Sequence, residues 1–296
     1  MSIEFWNRRR QTQETESVYG SAGVSLLYGN PLGFALTNAL LVRKSVSQLY
    51  GAFQGSRLSI RKISSFVEKF GVNMGDFEPG PYQSFNDFFV RRFRAGKRVF
   101  PADLHTMGAF AEARYLAFAG LQPDSILPIK GLKLDASDVL GNTPGKERFA
   151  GGPCLLARLC PVDYHRFHFP DAGRIVHWHN ETGKLHSVNP LALARKPDLF
   201  LANERQVSLL QTDQFGLLAY VEVGALMVGR IVHSHPLERA FRRGDEKGYF
   251  LFGASTVIVY GEKGTWTPEP DLLKHTAEGR EVLVELGQPV ARSLGR

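Results

Sequence analysis

From about Phe100 onward the chain consists of short apolar runs cut apart by Gly, Pro and Asp, and this punctuation constrains the fold more than any other feature. The runs read "ARYLAFAGL", "GGPCLLARLCP", "GRIVHWH", "LLAYVEVGALMVGRIV" and "STVIVYGEKG". They are strand signals, at the spacing of an antiparallel, β-rich domain. The first hundred residues have a different texture. In "NPLGFALTNALLVRKSVSQLYGAFQGSR" the residues Leu32, Leu36, Leu40, Val42, Val46 and Leu49 recur near helical spacing, with Asn30 as cap and Pro31 in the first turn. Its polar face carries Arg43, Lys44 and Gln48. Such a helix either packs on a core or lies on a membrane surface. "SIRKISSFVEKFGV" keeps the helical period through Ile60, Ile63, Phe66, Val67 and Phe70, and Gly71 reads as its stop. After the turn-rich "EPGPY", the stretch "SFNDFFVRRF" predicts a short helix capped by Ser84, with Asp87 three residues on. The expected class is therefore α+β: a helical N-terminal layer over residues 1–99, membrane-associating, packed on a predominantly antiparallel β-rich core over residues 100–296.

Composition narrows the partners. The 296 residues are 43% hydrophobic and include 21 phenylalanines, enough for a sizeable globular core. The net charge of +7 favours anionic partners, either acidic substrates or an anionic membrane surface. No nucleic-acid-binding signature accompanies the basic clusters, so nucleic acid is not expected. The two cysteines, Cys154 and Cys160, lie six steps apart on one predicted strand, roughly 20 Å. That is too far for a disulfide, so both are expected as buried thiols in a reducing compartment. The stretch "MSIEFWNRRRQTQ" has no apolar leader, and "PLGFALTNALLV" is too short to cross a bilayer. The expected location is peripheral, on the cytoplasmic face of a membrane.

Two stretches concentrate the chemistry. "CPVDYHRFHFPDAG" holds Asp163, His165, Arg166 and His168 before a turn. An H-x-x-H pair can bind metal, but on a strand residues three apart face opposite ways and no third ligand is near, so no metal is expected. Strand parity groups Asp163 with His165 and Tyr164 with His168, and a bulge before the turn would bring both rings to one pocket. "GDEKGYFLFGASTVIVY" interrupts an apolar strand with Gly253, Ala254, Ser255 and Thr256. It lacks a G-x-S-x-G elbow, so Ser255 read alone is a buried strand serine.

These two stretches, in this order, resemble the histidine motif and the processing site of the phosphatidylserine decarboxylases. "HSVNPLALARKPDLFLANER", "VEVGALMVGRI", "LYGAFQGSRLS" and "SFNDFFVRRF" resemble further segments of that family, collinear over nearly the whole chain. The resemblance implies cleavage between Ala254 and Ser255. The serine oxygen attacks the preceding carbonyl, and elimination and hydrolysis turn the serine into a pyruvoyl group, the cofactor, leaving two chains from one precursor. It assigns His168 as the base, oriented by a carboxylate at Glu112, and His165 to the decarboxylation of phosphatidylserine to phosphatidylethanolamine and carbon dioxide. This chain departs from the family pattern in three ways: Glu112 replaces an aspartate, Phe110 and Ala113 replace the proline and glycine of its turn, and Ala254 replaces the glycine before the serine. An uncleaved homologue that binds lipid or a partner, and a pyruvoyl decarboxylase for another amine-bearing acid, remain as alternatives. The oligomeric state stays open, a homo-oligomer included.

Overall fold

The computed structural model describes residues 3–16, 44–121, 134–188, 198–225, 230–253 and 255–295, with isolated positions between 27 and 37 and at 192. Its strands begin with β1 (Glu4–Asn7), β2 (Thr12–Thr15), β3 (Thr106–Gly108), β4 (Ala113–Phe118) and β5 (Cys154–Leu159). Next come β6 (Arg166–His168), β7 (Gly173–Glu181), β8 (Arg205–Thr212), β9 (Leu217–Val223) and β10 (Ile231–His233). The last are β11 (Glu246–Phe250), β12 (Ser255–Gly261), β13 (Trp266–Pro268), β14 (Glu281–Val284) and β15 (Pro289–Ser293). Nine of them form one sheet in the order β2-β1-β14-β4-β5-β12-β9-β8-β7, and two three-stranded sheets, β10-β11-β6 and β13-β15-β3, accompany it. Every pairing in the large sheet is antiparallel except β1 with β14. The fold is α+β with a predominantly antiparallel core. The apolar runs read from the sequence supply its central strands, which are buried along their whole length.

Register decides what each face of the large sheet carries. Tyr115, Ala157, Val257, Glu222 and Gln206 follow one another across β4, β5, β12, β9 and β8, so they share a face. Ser255 lies two residues before Val257 and points to that same face. The intervening row, Arg114, Arg158, Thr256 and Val223, points to the other. The small sheet β10-β11-β6 covers the Ser255 face: Lys247 of β11 lies 4.9 Å over the Tyr220 ring, and Tyr220 Oη donates to the His168 carbonyl at 3.2 Å.

The N-terminal hundred residues are not only helical. The expected helices appear as α1 (Lys44–Gln54), α2 (Lys62–Phe70) and α3 (Phe85–Phe89), while most of the stretch read as helix before Lys44 lies outside the described residues. Gly71 ends α2 in the left-handed region at φ 61°, and the Ser84 side chain accepts from the Asp87 amide, as the cap reading requires. However, β1 and β2 form an edge hairpin of the large sheet. Neither is more than four residues long, and its arginine-rich turn gives no strand alternation to read. Buried ion pairs hold the hairpin. Arg158 donates to Glu16 and Glu281 at 2.7 Å each, and Arg114 reaches Glu16 at 3.0 Å while covering the Phe5 ring. Burial pushes the Glu16 carboxyl up, but the Arg158 and Arg114 charges outweigh it and bring it down to about 2.

Candidate active site

Ser255 opens β12 and is fully buried, and its Oγ has no hydrogen-bond partner among the described residues. Gly253, two residues before it, has φ 145°, a conformation that side-chain-bearing residues rarely adopt. Ala254 lies outside the described residues. Phe252 is clasped by α3: its amide donates to Asn86 Oδ1 at 2.9 Å, and its ring packs on Phe85 and Phe89. The segment entering Ser255 is thus anchored at the short helix predicted from "SFNDFFVRRF".

His168 ends β6 of the covering sheet, and His165 lies in the loop just before that strand. His165 packs on the Phe89 ring at 3.9 Å, and its Nδ1 lies 3.0 Å from the Asp163 carbonyl. A carbonyl can only accept, so Nδ1 carries the proton and Nε2 keeps its lone pair. That Nε2 is buried with no hydrogen-bond partner among the described residues. Burial lowers the ring to about 3; the Asp163 carbonyl opposes this, the Arg91 charge adds to it, and the Gly253 carbonyl opposes it. The ring is therefore neutral at physiological pH and close to the segment that leads into Ser255.

His168 follows the same logic with different partners. Its Nδ1–H donates to the Gly244 carbonyl at 2.9 Å, so Nε2 accepts from the Tyr164 hydroxyl at 3.2 Å. Burial lowers this ring as well. Of the parity pairs read from the sequence, Tyr164 and His168 meet side chain to side chain, whereas His165 meets only the Asp163 carbonyl and the Asp163 carboxylate turns to Arg114. The bulge lies on β11 rather than at the turn: the register slips between Glu246 and Gly248, and Lys247 is the extra residue. Its ammonium enters a buried ion pair with Glu222 and bonds Ser208 Oγ at 3.0 Å.

Glu112 does not make the contact expected of it. Arg98 takes both of its carboxylate oxygens, at 2.6 and 2.9 Å, and the Leu286 amide donates at 3.2 Å. No hydrogen bond joins Glu112 to His168, and the Gly244 carbonyl occupies the orienting position instead. Burial raises the Glu112 carboxyl, with Arg98 acting against it. The bidentate pair is strong enough to explain why this side chain turns away.

Several contributors were missed in the sequence. Arg91 is buried, stacks on Phe77 and Phe88, and donates to the Val162 and Asp163 carbonyls at 3.0 and 3.4 Å. It braces the loop that holds His165. Glu222 and Lys247 form a second buried brace; the signal available for them was a lone carboxylate inside the apolar run "LLAYVEV". Among the described residues, no three His, Cys, Asp or Glu side chains form a group that could hold a metal. Both cysteines are free and buried.

This arrangement has close counterparts in known sequences. The family model for phosphatidylserine decarboxylase matches residues 85–291, which include α3, both histidines and Ser255. The phosphatidylserine decarboxylase proenzyme of Clostridium novyi (strain NT) is 35% identical over 294 residues, 99% of this chain and 100% of its own length. The proenzyme of Clostridium botulinum (strain 657 / Type Ba4) is 34% identical over 290 residues, 97% of this chain and 98% of its own. That of Desulfitobacterium hafniense (strain DSM 10664 / DCB-2) is 34% identical over 297 residues, covering 99% and 100%. Likeness of this extent, running through the histidine segment and the buried serine alike, means that the chain belongs to the phosphatidylserine decarboxylase family.

Proposed function

We propose that this protein is a proenzyme that cuts itself between Ala254 and Ser255 and then converts phosphatidylserine to phosphatidylethanolamine and carbon dioxide. The observation that carries the reading is the Ser255 hydroxyl, buried and without a hydrogen-bond partner among the described residues, at the end of a segment whose Gly253 carbonyl acts on the neutral His165 ring. A buried hydroxyl left without a partner costs about 1–3 kcal/mol, a poor choice for a merely structural position.

The cleavage follows from the chain's own groups. Ser255 Oγ attacks the Ala254 carbonyl carbon while His168 Nε2 takes its proton, and the peptide bond becomes an ester. Gly244 fixes His168 in the tautomer that leaves Nε2 basic, and the Tyr164 hydroxyl is the group that yields its place. Loss of the Ser255 α-proton then expels the residue 1–254 chain as a carboxylic acid. Water displaces the nitrogen as ammonia, and a pyruvoyl group remains at the new chain end. Ser255 fits this role: it is enclosed and follows a glycine-only conformation at Gly253. The pyruvoyl carbonyl supplies an electrophile for the substrate amine and a sink for the electrons left by carbon dioxide. His165, neutral and with an unpartnered Nε2, handles the proton at the substrate's α-carbon.

The exposed apolar residues of the N-terminal region support a peripheral membrane location. Leu49 is 77% exposed and Leu58 70%, with Phe53 and Ile60 beside them and Arg57 and Arg61 also exposed. Among the described residues no helix is long and apolar enough to cross a membrane. A basic rim around exposed leucines suits an anionic lipid surface.

One observation favours a second reading, an uncut homologue that binds lipid: the Glu112 carboxylate is spent on Arg98. Two substitutions separate the readings. His168→Ala is expected to leave a single chain, whereas His165→Ala still splits but releases no carbon dioxide from phosphatidylserine. Normal splitting in His168→Ala removes the base assignment.

A further inference from the structure

A cavity of about 630 Å³ opens beside the reacting strand, with Ser47, Trp178, Leu185, Gln206, Gly224 and Arg230 among its walls. Its position follows from register. Val223 pairs with Thr256, so Gly224 comes level with Ser255 on the adjacent strand. Gln206 pairs with Glu222, and Trp178 pairs with Ser208, which itself pairs with Tyr220. The Gln206, Trp178, Ser208 and Tyr220 side chains project from the Ser255 face of the sheet. A β-carbon on Gly224 would stand 3.2 Å from Leu185, inside the cavity wall, so glycine keeps this end open. α1 contributes Ser47 and Gln48 to the lining, while its Leu49 and Phe53 stay exposed. The cavity therefore runs between α1 and Gly224, the residue level with Ser255 on the adjacent strand.

Its interior is polar and unsatisfied. Trp178 Nε1, Gln206 Oε1 and Ser47 Oγ are buried atoms with no hydrogen-bond partner among the described residues, and the Ser47 residue is 1% exposed. Three orphaned polar atoms in one cavity point to a polar ligand, because buried polar groups are otherwise nearly always paired. Trp178 Nε1 can only donate, Gln206 Oε1 can only accept and Ser47 Oγ can do either, and both the Arg230 cation and the Glu204 carboxylate lie on the same cavity. Donors with a cation match anionic oxygens, and an amide acceptor with a carboxylate matches an ammonium.

We infer that this cavity receives the phosphoserine headgroup of the lipid, with Trp178 Nε1, Ser47 Oγ and Arg230 toward its phosphate and carboxylate and Gln206 Oε1 toward its ammonium. The identity of the ligand rests on the decarboxylase reading; the polarity of the site does not. Binding places the headgroup amine at the Gly224 end, next to the reacting residue, while the acyl chains stay at the exposed face of α1.

The test uses the full chain carrying Ser255→Ala, which neither splits nor turns over, titrated by calorimetry with glycerophosphoserine, the deacylated headgroup. Saturable binding is expected, weakened about tenfold by Trp178→Phe and by Gln206→Leu, each of which removes one hydrogen bond. Arg230→Gln, at an exposed position, is expected to weaken binding and to reduce its salt dependence without touching the fold. Glycerophosphocholine, which lacks the carboxylate and the primary ammonium, is expected to compete poorly. Absence of saturable binding, or affinity unchanged in folded Trp178→Phe and Arg230→Gln, overturns the inference. Binding that persists in a protein whose unmodified form releases no carbon dioxide overturns the decarboxylase reading instead and leaves the site standing.

Discussion

Breaking the buried pair between Lys247 and Glu222 is expected to destabilise the protein far more than deleting it whole. The two residues are 1% and 0% exposed, on β11 and β9, and they tie the sheet that carries His168 to the sheet that carries Ser255. Burial raises the Glu222 carboxyl, and the Lys247 ammonium and His233 outweigh it, leaving the group below its ordinary value. In Lys247→Met the carboxylate keeps only His233, at 3.7 Å, and an uncompensated buried charge costs about 3–5 kcal/mol. At roughly 2 °C per kcal/mol for a domain of this size, the melting temperature falls by about 6–10 °C. Glu222→Leu leaves the ammonium with Ser208 and two aromatic faces and costs a similar amount. The double variant, Lys247→Met with Glu222→Leu, removes both charges and replaces them with apolar volume, so it is expected within about 1–2 kcal/mol of the parent. Its coupling energy is then larger than either single loss. Thermal denaturation of the four chains, each with Ser255→Ala so that splitting does not confuse the transition, reads this directly. A double variant that loses the sum of the two single losses refutes the reasoning.

Two further outcomes follow from the same structure. His165 is neutral when folded, with its ring held down to about 3, and it takes up a proton on unfolding below the ordinary histidine value of 6.5. Its contribution to stability is therefore complete above pH 6.5 and is lost as pH falls toward 3, at up to about 1.4 kcal/mol per unit. Chemical denaturation at pH 7.5 and pH 5 is expected to show this loss, and a slope unchanged in His165→Gln contradicts it. Replacing Leu49 and Phe53 with serine is expected to reduce flotation with phosphatidylserine vesicles several-fold, with little change in melting temperature because both side chains are exposed; undiminished flotation argues against α1 as the docking element.

Much of the core could be read from residues alone, because a run such as "STVIVY" between glycines has few alternatives to a buried strand. Gly71 and Ser84 marked their helix ends because φ and capping are local properties. The β1–β2 hairpin was not legible, since what orders it is Arg114 and Arg158, the latter 142 residues from Glu16 in sequence. The pairing of Tyr164 with His168 could be read by counting, but the choice of Arg98 as the partner of Glu112 could not: it depends on the fold bringing the arginine closer than the histidine. The Lys247 bulge was hidden for the same reason, as nothing in "GDEKGY" states which residue will be left over against β6. The resemblance supplied roles for Ser255, His165 and His168, and only three-dimensional contacts show which nitrogen of each ring is free.

The mass of the purified full chain under denaturing conditions tests the central claim most directly. Two chains are expected, residues 1–254 and the 42 residues from Ser255 to Arg296, the shorter one beginning with a pyruvoyl group in place of serine. A single intact chain of 296 residues, in a preparation that releases carbon dioxide from phosphatidylserine, contradicts it.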